Sequence, residues 1–316
     1  MTTKEDNMNG LSIIFVVAGA VAFAFHNTLS RHYQRGEWKD RSALITTLNL
    51  SVASGLLLAS SFVTDGPQLS DGWLFPVLAT GVLNIGIMYA KTRARALEEV
   101  SLVTPIDSTT PAIVIITAMI IIGEYPTKLG WLGVWVLVLG TYILNIQELR
   151  QKLLENTANP SWQKRLLAWL APFLALRRSA GVRWAFFAVG LSTISLNYDG
   201  LVARRTDVGF GFGLVCGIAA LGNLAVTIAR KEHRGVKTNE ALLRMAVLGG
   251  LFAVGVFLTG LAFRYSLVAY VGTMKRVVIP MTIVLAYMLL KERKSFRQRI
   301  AGGIIMTIGA IIIALA

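Results

Sequence analysis

The sequence predicts an all-α integral membrane protein with ten transmembrane helices, arranged as two inverted five-helix repeats. The chain of 316 residues is 54% hydrophobic and 15% charged, with a mean hydropathy of +0.61. That composition excludes an ordinary soluble globular domain. The apolar residues also fall into ten runs of membrane-spanning length, and the two halves of the chain resemble each other. Together these three observations give the predicted fold class.

Each predicted helix is an apolar run of about 20 residues, the length that crosses the hydrocarbon core of a bilayer as a helix. In chain order the ten helices cover residues 11–30, 42–63, 72–91, 101–122, 129–147, 184–203, 209–229, 244–263, 267–290 and 298–316. The connectors are short except for the fifth, residues 148–183. We therefore divide the chain into a first half, residues 1–147, and a second half, residues 184–316.

The long connector mixes apolar side chains such as Trp162 and Leu166 with the basic side chains of Lys164 and Arg165. Such a mixture is typical of an amphipathic helix that lies on the membrane surface. Pro172 is expected to bend this helix, because proline lacks the backbone N–H that a helix needs.

The net charge of +14 is explained by where Lys and Arg lie relative to the membrane. The connectors after odd-numbered helices carry 24 of these residues, and the opposite side carries five. The positive-inside rule then places the odd-numbered connectors in the cytoplasm and both termini outside. This bias accounts for the charge without nucleic acid as a partner. The expected surroundings are a lipid bilayer, and we expect the plasma (inner) membrane.

The two halves align when one is shifted along the other. The shift that lays residues 122–126 over residues 290–294 also lays the glycine-containing helix after them over the last helix. A slightly longer shift lays residues 27–31 over residues 200–204. Because five is an odd number of helices, the second half enters the membrane from the opposite side. Many secondary transporters have this inverted repeat.

Lys275 and Arg276 are the main candidates for a binding site. They lie side by side in the ninth predicted helix, where an ionisable side chain is costly unless it faces a partner or a water-filled cavity. The first of the two shifts places Asp107 opposite Lys275, so a carboxylate of the fourth helix is the expected counter-charge. Pro111 and Pro280 remove backbone hydrogen bonds and can bend both helices beside a central cavity. An ion pair that only joins the two helices is the alternative.

Other polar residues within the predicted helices could also contact a substrate. We select Asn84, Asn197 and Tyr198 for polar contacts, and His26 as a group that could titrate during transport. Each side chain could instead form a hydrogen bond between helices. The sequence has no metal-ligand spacing, no nucleophilic triad and no nucleotide-binding loop, so we predict neither an enzyme nor a cofactor.

Two sets of residues carry a family resemblance. In the first half they run from Pro111 to Glu124 and are followed by Gly130, Gly133 and Gly140. In the second half they run from Pro280 to Arg293 and are followed by Gly302, Gly303 and Gly309. With these residues the chain resembles the drug/metabolite transporter superfamily, of the ten-helix type with two EamA-like halves. The resemblance implies transport of a small molecule. Members are commonly drawn with both termini in the cytoplasm, which is opposite to the orientation that the charge count favours.

Residues Val271 to Val278 carry a narrower likeness. They are similar to the Lys-Arg motif in the ninth helix of the triose-phosphate and nucleotide-sugar translocator branch, where adjacent cations hold a substrate phosphate. The planar fork of an Arg beside the point charge of a Lys suits phosphate or carboxylate. The likeness therefore favours Lys275 and Arg276 as anion ligands.

The sequence thus predicts a secondary transporter of a small anionic metabolite, phosphorylated or carboxylated, by alternating access through a central cavity. The first alternative is an exporter of amino acids or other zwitterionic or amphipathic compounds, in which Asp107 binds an ammonium and Arg276 a carboxylate. A membrane scaffold or receptor with a structural Asp–Lys pair is the second. The glycine-rich last helix could pack within the fold or against a second subunit, so a homodimer stays open.

Overall fold

The computed structural model describes residues 10–35, 38, 41–63, 66–154, 161–233, 238–290 and 296–316. Over these residues the chain is α-helical apart from short connections and one isolated β-bridge between Leu69 and Thr206. The helices are α1 (Gly10–Arg35), α2 (Ser42–Val63), α3 (Leu74–Leu97), α4 (Val100–Asp107), α5 (Thr110–Ile121), α6 (Lys128–Leu154), α7 (Trp162–Leu174), α8 (Ala180–Arg205), α9 (Val208–Ala229), α10 (Thr238–Tyr265), α11 (Val268–Met274), α12 (Val278–Leu290) and α13 (Phe296–Ala314).

Nine segments of the described chain are long and apolar enough to cross a membrane, with α4 and α5 forming one of them and α11 and α12 another. The predicted all-α integral membrane fold is therefore confirmed. A helix is the expected solution, because it satisfies its own backbone hydrogen bonds where no water is present. The predicted tenth span is the helix α13, whose apolar part is the shorter Ala301–Ala314. The count of ten spans stays a prediction.

The predicted fourth and ninth helices are each interrupted rather than continuous. Residues 108–109 separate α4 from α5, and a 3₁₀ turn, Lys275–Val277, separates α11 from α12. The cause at the first break is Pro111, which has no N–H to donate to the carbonyl of Asp107. The hydroxyl of Thr110 donates to that carbonyl instead, at 2.8 Å. Pro280 stands four residues after Arg276 in the same way.

The helices of the two halves begin in a common register. In the first half α4, α5 and α6 begin at positions 100, 110 and 128, and in the second α11, α12 and α13 begin at positions 268, 278 and 296. The offset is the same for all three pairs, and it equals the sequence shift that lays residue 122 over residue 290. The earlier helices follow it less closely, since α1 and α2 begin at positions 10 and 42 and α8 and α9 at positions 180 and 208. The residues 291–293 used for the family likeness lie outside the described chain.

Helices from opposite halves pack in pairs. The main pairs are α6 with α13, α2 with α9, α3 with α8 and α1 with α10. By order in each half, the counterparts of α1, α2, α3 and α6 are α8, α9, α10 and α13. Exchanging each helix with its counterpart leaves the pairs α6–α13 and α2–α9 unchanged, and it converts the pair α3–α8 into the pair α1–α10. That pattern is what a two-fold relation between the halves would produce. The inversion of the repeat relative to the membrane remains a prediction.

Glycines allow α6 and α13 to pack closely. A Cβ at Gly140 would lie 2.6 Å from the Met306 backbone nitrogen, and one at Gly309 would lie 2.5 Å from that of Leu137. Both distances are shorter than any normal contact, so each position needs a residue without a side chain. The close-packing glycines of the last helix, such as Gly309, therefore face α6 within the same chain. They no longer support the prediction of a homodimer.

The connector between the halves contains the predicted helix, α7, followed by a 3₁₀ turn at residues 175–177. Pro172 lies inside its last turn and is buried. The helix is held against α6, because the Tyr142 hydroxyl donates to the Trp169 carbonyl and the Arg150 guanidinium lies 4.2 Å from the Trp169 ring centre. Trp162 and Leu166 are exposed. This arrangement fits the predicted surface helix.

Candidate functional site

A cavity of about 460 Å³ lies between the two halves of the chain. Its walls come from α1, α2, α3 and α5 of the first half and from α8 to α12 of the second. The volume is within the range of small-molecule binding sites. Four charged residues of the described chain line the cavity: Lys91, Asp199, Lys275 and Arg276.

Lys275 lies in the 3₁₀ turn between α11 and α12, so it faces the cavity from the point where the ninth span is broken. The carboxylate of Asp199, on α8, is near enough to interact with its ammonium group electrostatically. The Nζ atom also lies 5.9 Å from the centre of the Phe263 ring. Both interactions offset part of the cost of placing this cation within a membrane span.

Arg276 follows Lys275 in the turn and interacts electrostatically with a different carboxylate, that of Asp107. The Asp107 Oδ1 atom lies 3.6 Å from the Nζ atom of Lys91. Asp107 and Lys275, the pair that the repeat places opposite each other, are therefore not in direct contact. Instead, Lys275 interacts with the carboxylate of Asp199, and both Arg276 and Lys91 interact with the carboxylate of Asp107.

Asn84 is the other predicted site residue that lines the cavity. Its side-chain nitrogen donates to the Thr80 carbonyl at 3.0 Å, an intrahelical bond that fixes the amide on α3. Further polar side chains on the walls are those of Asn27, Thr110, Ser192, Ser195 and Thr259. The Ser192 and Thr259 hydroxyls donate to carbonyls of their own helices, so their oxygen lone pairs remain able to accept a bond.

Four of the predicted residues, Asp107, Asn197, Tyr198 and His26, are not among those that line the cavity. Asn197 is fully buried and donates to the Thr117 hydroxyl and the Thr193 carbonyl, which joins α8 to α5. The ring of Tyr198 contacts the exposed ring of Phe75. His26 packs beside Phe252, with Nδ1 3.4 Å from the Asn27 side-chain oxygen. The residues next to them in sequence, Asn27 and Asp199, reach the cavity instead.

The structure adds two charged wall residues, Lys91 and Asp199, to the site residues selected from the sequence. The third predicted helix ends at Lys91, which places this cation in the connector, but α3 continues to Leu97 and Lys91 lies in the cavity wall. Asp199 carries a charge within the sixth predicted span, and that was the available signal. Its position on the cavity side of α8 depends on the rotation of the helix, which the sequence does not specify.

A buried carboxylate holds the start of α11 in place. Glu124 accepts a 2.7 Å hydrogen bond from the Val268 backbone N–H and forms an ion pair of 2.5 Å with Arg204. Arg204 also donates to the carbonyls of Phe263 and Ser266. A negative charge at a helix N-terminus is favourable because free N–H groups point at it. This cluster fixes the segment that leads to Lys275.

Comparisons with known proteins agree with the helical membrane fold. The model of the EamA-like transporter family matches residues 10–146. A crystal structure of a protein has a TM-score of 0.70 to this chain at 14% sequence identity, and the match covers 96% of each chain. At that identity the likeness concerns the fold alone, including the second half. No curated protein matches the sequence.

Proposed function

Because the model of the EamA-like transporter family matches residues 10–146 of this multi-pass membrane protein, we propose that the chain is a secondary transporter of a small organic anion. The central cavity is the proposed substrate site. Lys275 and Arg276 are the proposed anion ligands, with Lys91 and Asn84 beside them.

The position of Lys275 and Arg276 is the observation that carries the proposal. Two adjacent cations lie at the break in a membrane-spanning helix, and both line the cavity. Cations at this depth are costly unless water, a partner or a ligand compensates them. An Arg can form two parallel bonds to a carboxylate or phosphate, and the Lys adds a mobile point charge. An anion that enters the cavity would complete this arrangement.

Alternating access between the two halves is the proposed mechanism. Helices of both halves form the cavity walls, and their main contacts pair across the halves. In an inverted repeat such a site is exposed to either side when one half rocks against the other. We propose residues 1–147 and 184–316 as the two halves. A gradient or an exchanged solute would supply the driving force.

The Asp107 and Asp199 carboxylates are the proposed counter-charges of the empty site. Asp107 lies beside Lys91 and Arg276, and Asp199 beside Lys275. They reduce the electrostatic cost of three cations when no substrate is bound. An anion would then compete with these carboxylates for the cations, so binding and rearrangement of the ion pairs would be linked.

Counterflow in proteoliposomes tests the proposal. Vesicles are loaded in turn with unlabelled organic acids, phosphorylated sugars and amino acids, and uptake of the same labelled compound is measured. We expect exchange of at least one anion, and its loss in Lys275→Ala protein that still elutes as a folded monodisperse species. Lys128→Ala removes an exposed lysine at the start of α6 and is the matched control. Exchange at the wild-type rate in Lys275→Ala protein would refute the proposed site.

A zwitterionic substrate is a second candidate, because Asp199 and Lys275 place opposite charges on the same cavity. Asp199 would bind the ammonium of an amino acid, and Arg276 its carboxylate. In that case amino acids, and not phosphorylated or simple organic acids, should displace the labelled substrate. Asp199→Asn should then abolish the exchange.

A further inference from the structure

We propose that the substrate is an amphipathic monoanion, with a single carboxylate on an apolar aromatic or branched body. The proposal deepens the proposed function and rests on it. It names the substrate class of the same cavity, and it separates carboxylates with an apolar body from sugar phosphates, dicarboxylates and amino acids.

The first argument is the charge of the cavity. Among the residues that the structure describes, three cations line it, Lys91, Lys275 and Arg276. Two carboxylates oppose them, Asp199 in the wall and Asp107 next to Lys91. The group therefore has one positive charge in excess. A monoanion neutralises it, whereas a dianion would leave an excess negative charge in a site of low dielectric constant.

The second argument is the apolar part of the wall. Phe23, Phe212, Phe252 and Phe263 come from three different helices and all line the cavity. The Phe23 and Phe252 rings meet edge to face at 5.5 Å. Leu50 and Val256 are further wall residues. An apolar body buried against such side chains gains free energy in proportion to the apolar area removed from water.

A sugar phosphate fits this wall poorly. Each buried hydroxyl of a sugar needs a hydrogen-bond partner, and leaving one unsatisfied costs free energy comparable to a lost hydrogen bond. Most of the wall residues are apolar, and the Asn84, Ser192 and Thr259 donors are already bonded to backbone carbonyls. Apart from the three cations, which the charged group of a substrate would occupy, the cavity therefore offers few free donors to a polyol.

An amino acid is disfavoured by the ion pairs. The ammonium group would need a carboxylate, but Asp199 is opposed by Lys275, and Asp107 by Lys91 and Arg276. An added ammonium would have to displace a lysine or arginine. It would also leave the excess positive charge in place, because a zwitterion has no net charge. A simple carboxylate meets neither obstacle.

A matched set of probes tests charge and body separately. The probes are 3-phenylpropionate, phenylsuccinate, phenylalanine, lactate and glucose 6-phosphate. Each is used at pH 7.5 in counterflow and as a stabilising ligand in thermal unfolding of the purified protein. Protein-free liposomes correct the counterflow for passive leak of the acids. We expect 3-phenylpropionate to exchange and stabilise at concentrations about tenfold below those of lactate, because of its buried ring.

The charge argument is tested by Asp199→Asn, which removes one negative charge with little change in shape. We expect the preference to move from 3-phenylpropionate towards the dianion phenylsuccinate by about tenfold, as one added unit of charge in a shielded site would produce. Asp71→Asn makes the same substitution at an exposed position in the loop before α3 and should leave the preference unchanged. If the variant does not fold, the wild-type ranking of 3-phenylpropionate over phenylsuccinate decides alone.

The outcomes separate the two proposals. Wild-type preference for glucose 6-phosphate or phenylsuccinate, lost in Lys275→Ala protein, would overturn the substrate class and leave the anion transporter standing. Preference for phenylalanine would overturn the substrate class in favour of the zwitterionic candidate. Exchange that is the same in wild-type and Lys275→Ala protein would overturn both proposals, because the cations would not contact the substrate.

Discussion

The Asp107 carboxylate has two cations to compensate. Its Oδ1 atom lies 3.6 Å from the Lys91 Nζ atom, and it also interacts electrostatically with Arg276. Both members of the Asp107–Lys91 pair are partly exposed, so water screens part of the attraction. Removing the carboxylate alone leaves two like charges near each other. The Asp107 carboxylate therefore offsets the repulsion between these two cations.

A double-mutant cycle tests which lysine Asp107 opposes. Asp107→Asn and Lys91→Ala, measured singly and together by unfolding in detergent, should show a coupling free energy of about 0.5–1 kcal/mol. The cycle of Asp107→Asn with Lys275→Ala should be additive to within about 0.5 kcal/mol. If Asp107 coupled more strongly to Lys275 than to Lys91, the result would support the Asp107–Lys275 pair that the sequence repeat predicts. It would contradict the Asp107–Lys91 contact of the structure. It would also favour the scaffold alternative, in which the Asp107–Lys275 pair is structural.

Glu124 is only 8% exposed and pairs with Arg204. Glu124→Gln keeps an oxygen that can accept from the Val268 N–H but loses the charge that opposes Arg204. We expect the free energy of unfolding to fall by about 2 kcal/mol or more, since one partner of a buried pair is lost. Glu99→Gln, in an exposed ion pair with Lys152, should cost about 0.5 kcal/mol or less. Similar losses in the two variants would mean that burial does not strengthen the Glu124 pair.

At the level of helices, the contact of α6 with α13 has the least room for change. Gly140→Ala should lower the unfolding temperature clearly, because the new methyl group would meet the Met306 backbone and the helices would have to separate. Overpacking of this kind costs about 1–3 kcal/mol. Gly190→Ala in α8 has nothing within 4 Å of the new methyl group. It should leave the unfolding temperature unchanged or raise it, since Ala favours a helix. Equal effects of the two changes would rule out a packing role for Gly140.

The broken spans show how far the sequence predicts an element. Hydropathy finds both spans, because it depends on composition along roughly 20 residues. The prolines also mark the correct places, since Pro111 and Pro280 each deprive the carbonyl four residues earlier of its usual donor. The form of each break could not be predicted. At α4 it depends on the Thr110 hydroxyl reaching the Asp107 carbonyl, a choice of side-chain rotamer that tertiary packing decides.

For the whole molecule, the all-α membrane fold depends on the composition of long apolar segments, which the sequence predicts well. The count of ten spans and the division into two halves stay predictions. The site is predicted less completely. Lys275, Arg276 and Asn84 line the cavity, whereas Asn197 and Tyr198 do not, although Asp199 next to them does. Neighbouring residues on a helix point about 100° apart. A small difference in helix rotation therefore decides which polar residue reaches the cavity, and only the packed structure fixes that rotation.

Orientation in the membrane is the prediction that belongs to the whole chain. In protein without its native thiol, Cys216→Ala, we expect a cysteine at exposed Ser70 to react with an impermeant maleimide in intact cells. A cysteine at exposed Ser161, in the long connector, should react only after permeabilisation, because the positive-inside rule places that connector in the cytoplasm. The reverse pattern would put both termini in the cytoplasm.

The common register of the two halves has a consequence for the balance between states. In an inverted repeat, the state that opens to the opposite side can be reached when each half takes the shape of the other. Residues that match between the halves then contribute equally to both states. Only unmatched positions can make the two states differ in free energy, and they include Asp107 against Lys275 and Ser108 against Arg276. The residues proposed to bind the substrate would also set which side of the membrane the resting protein faces.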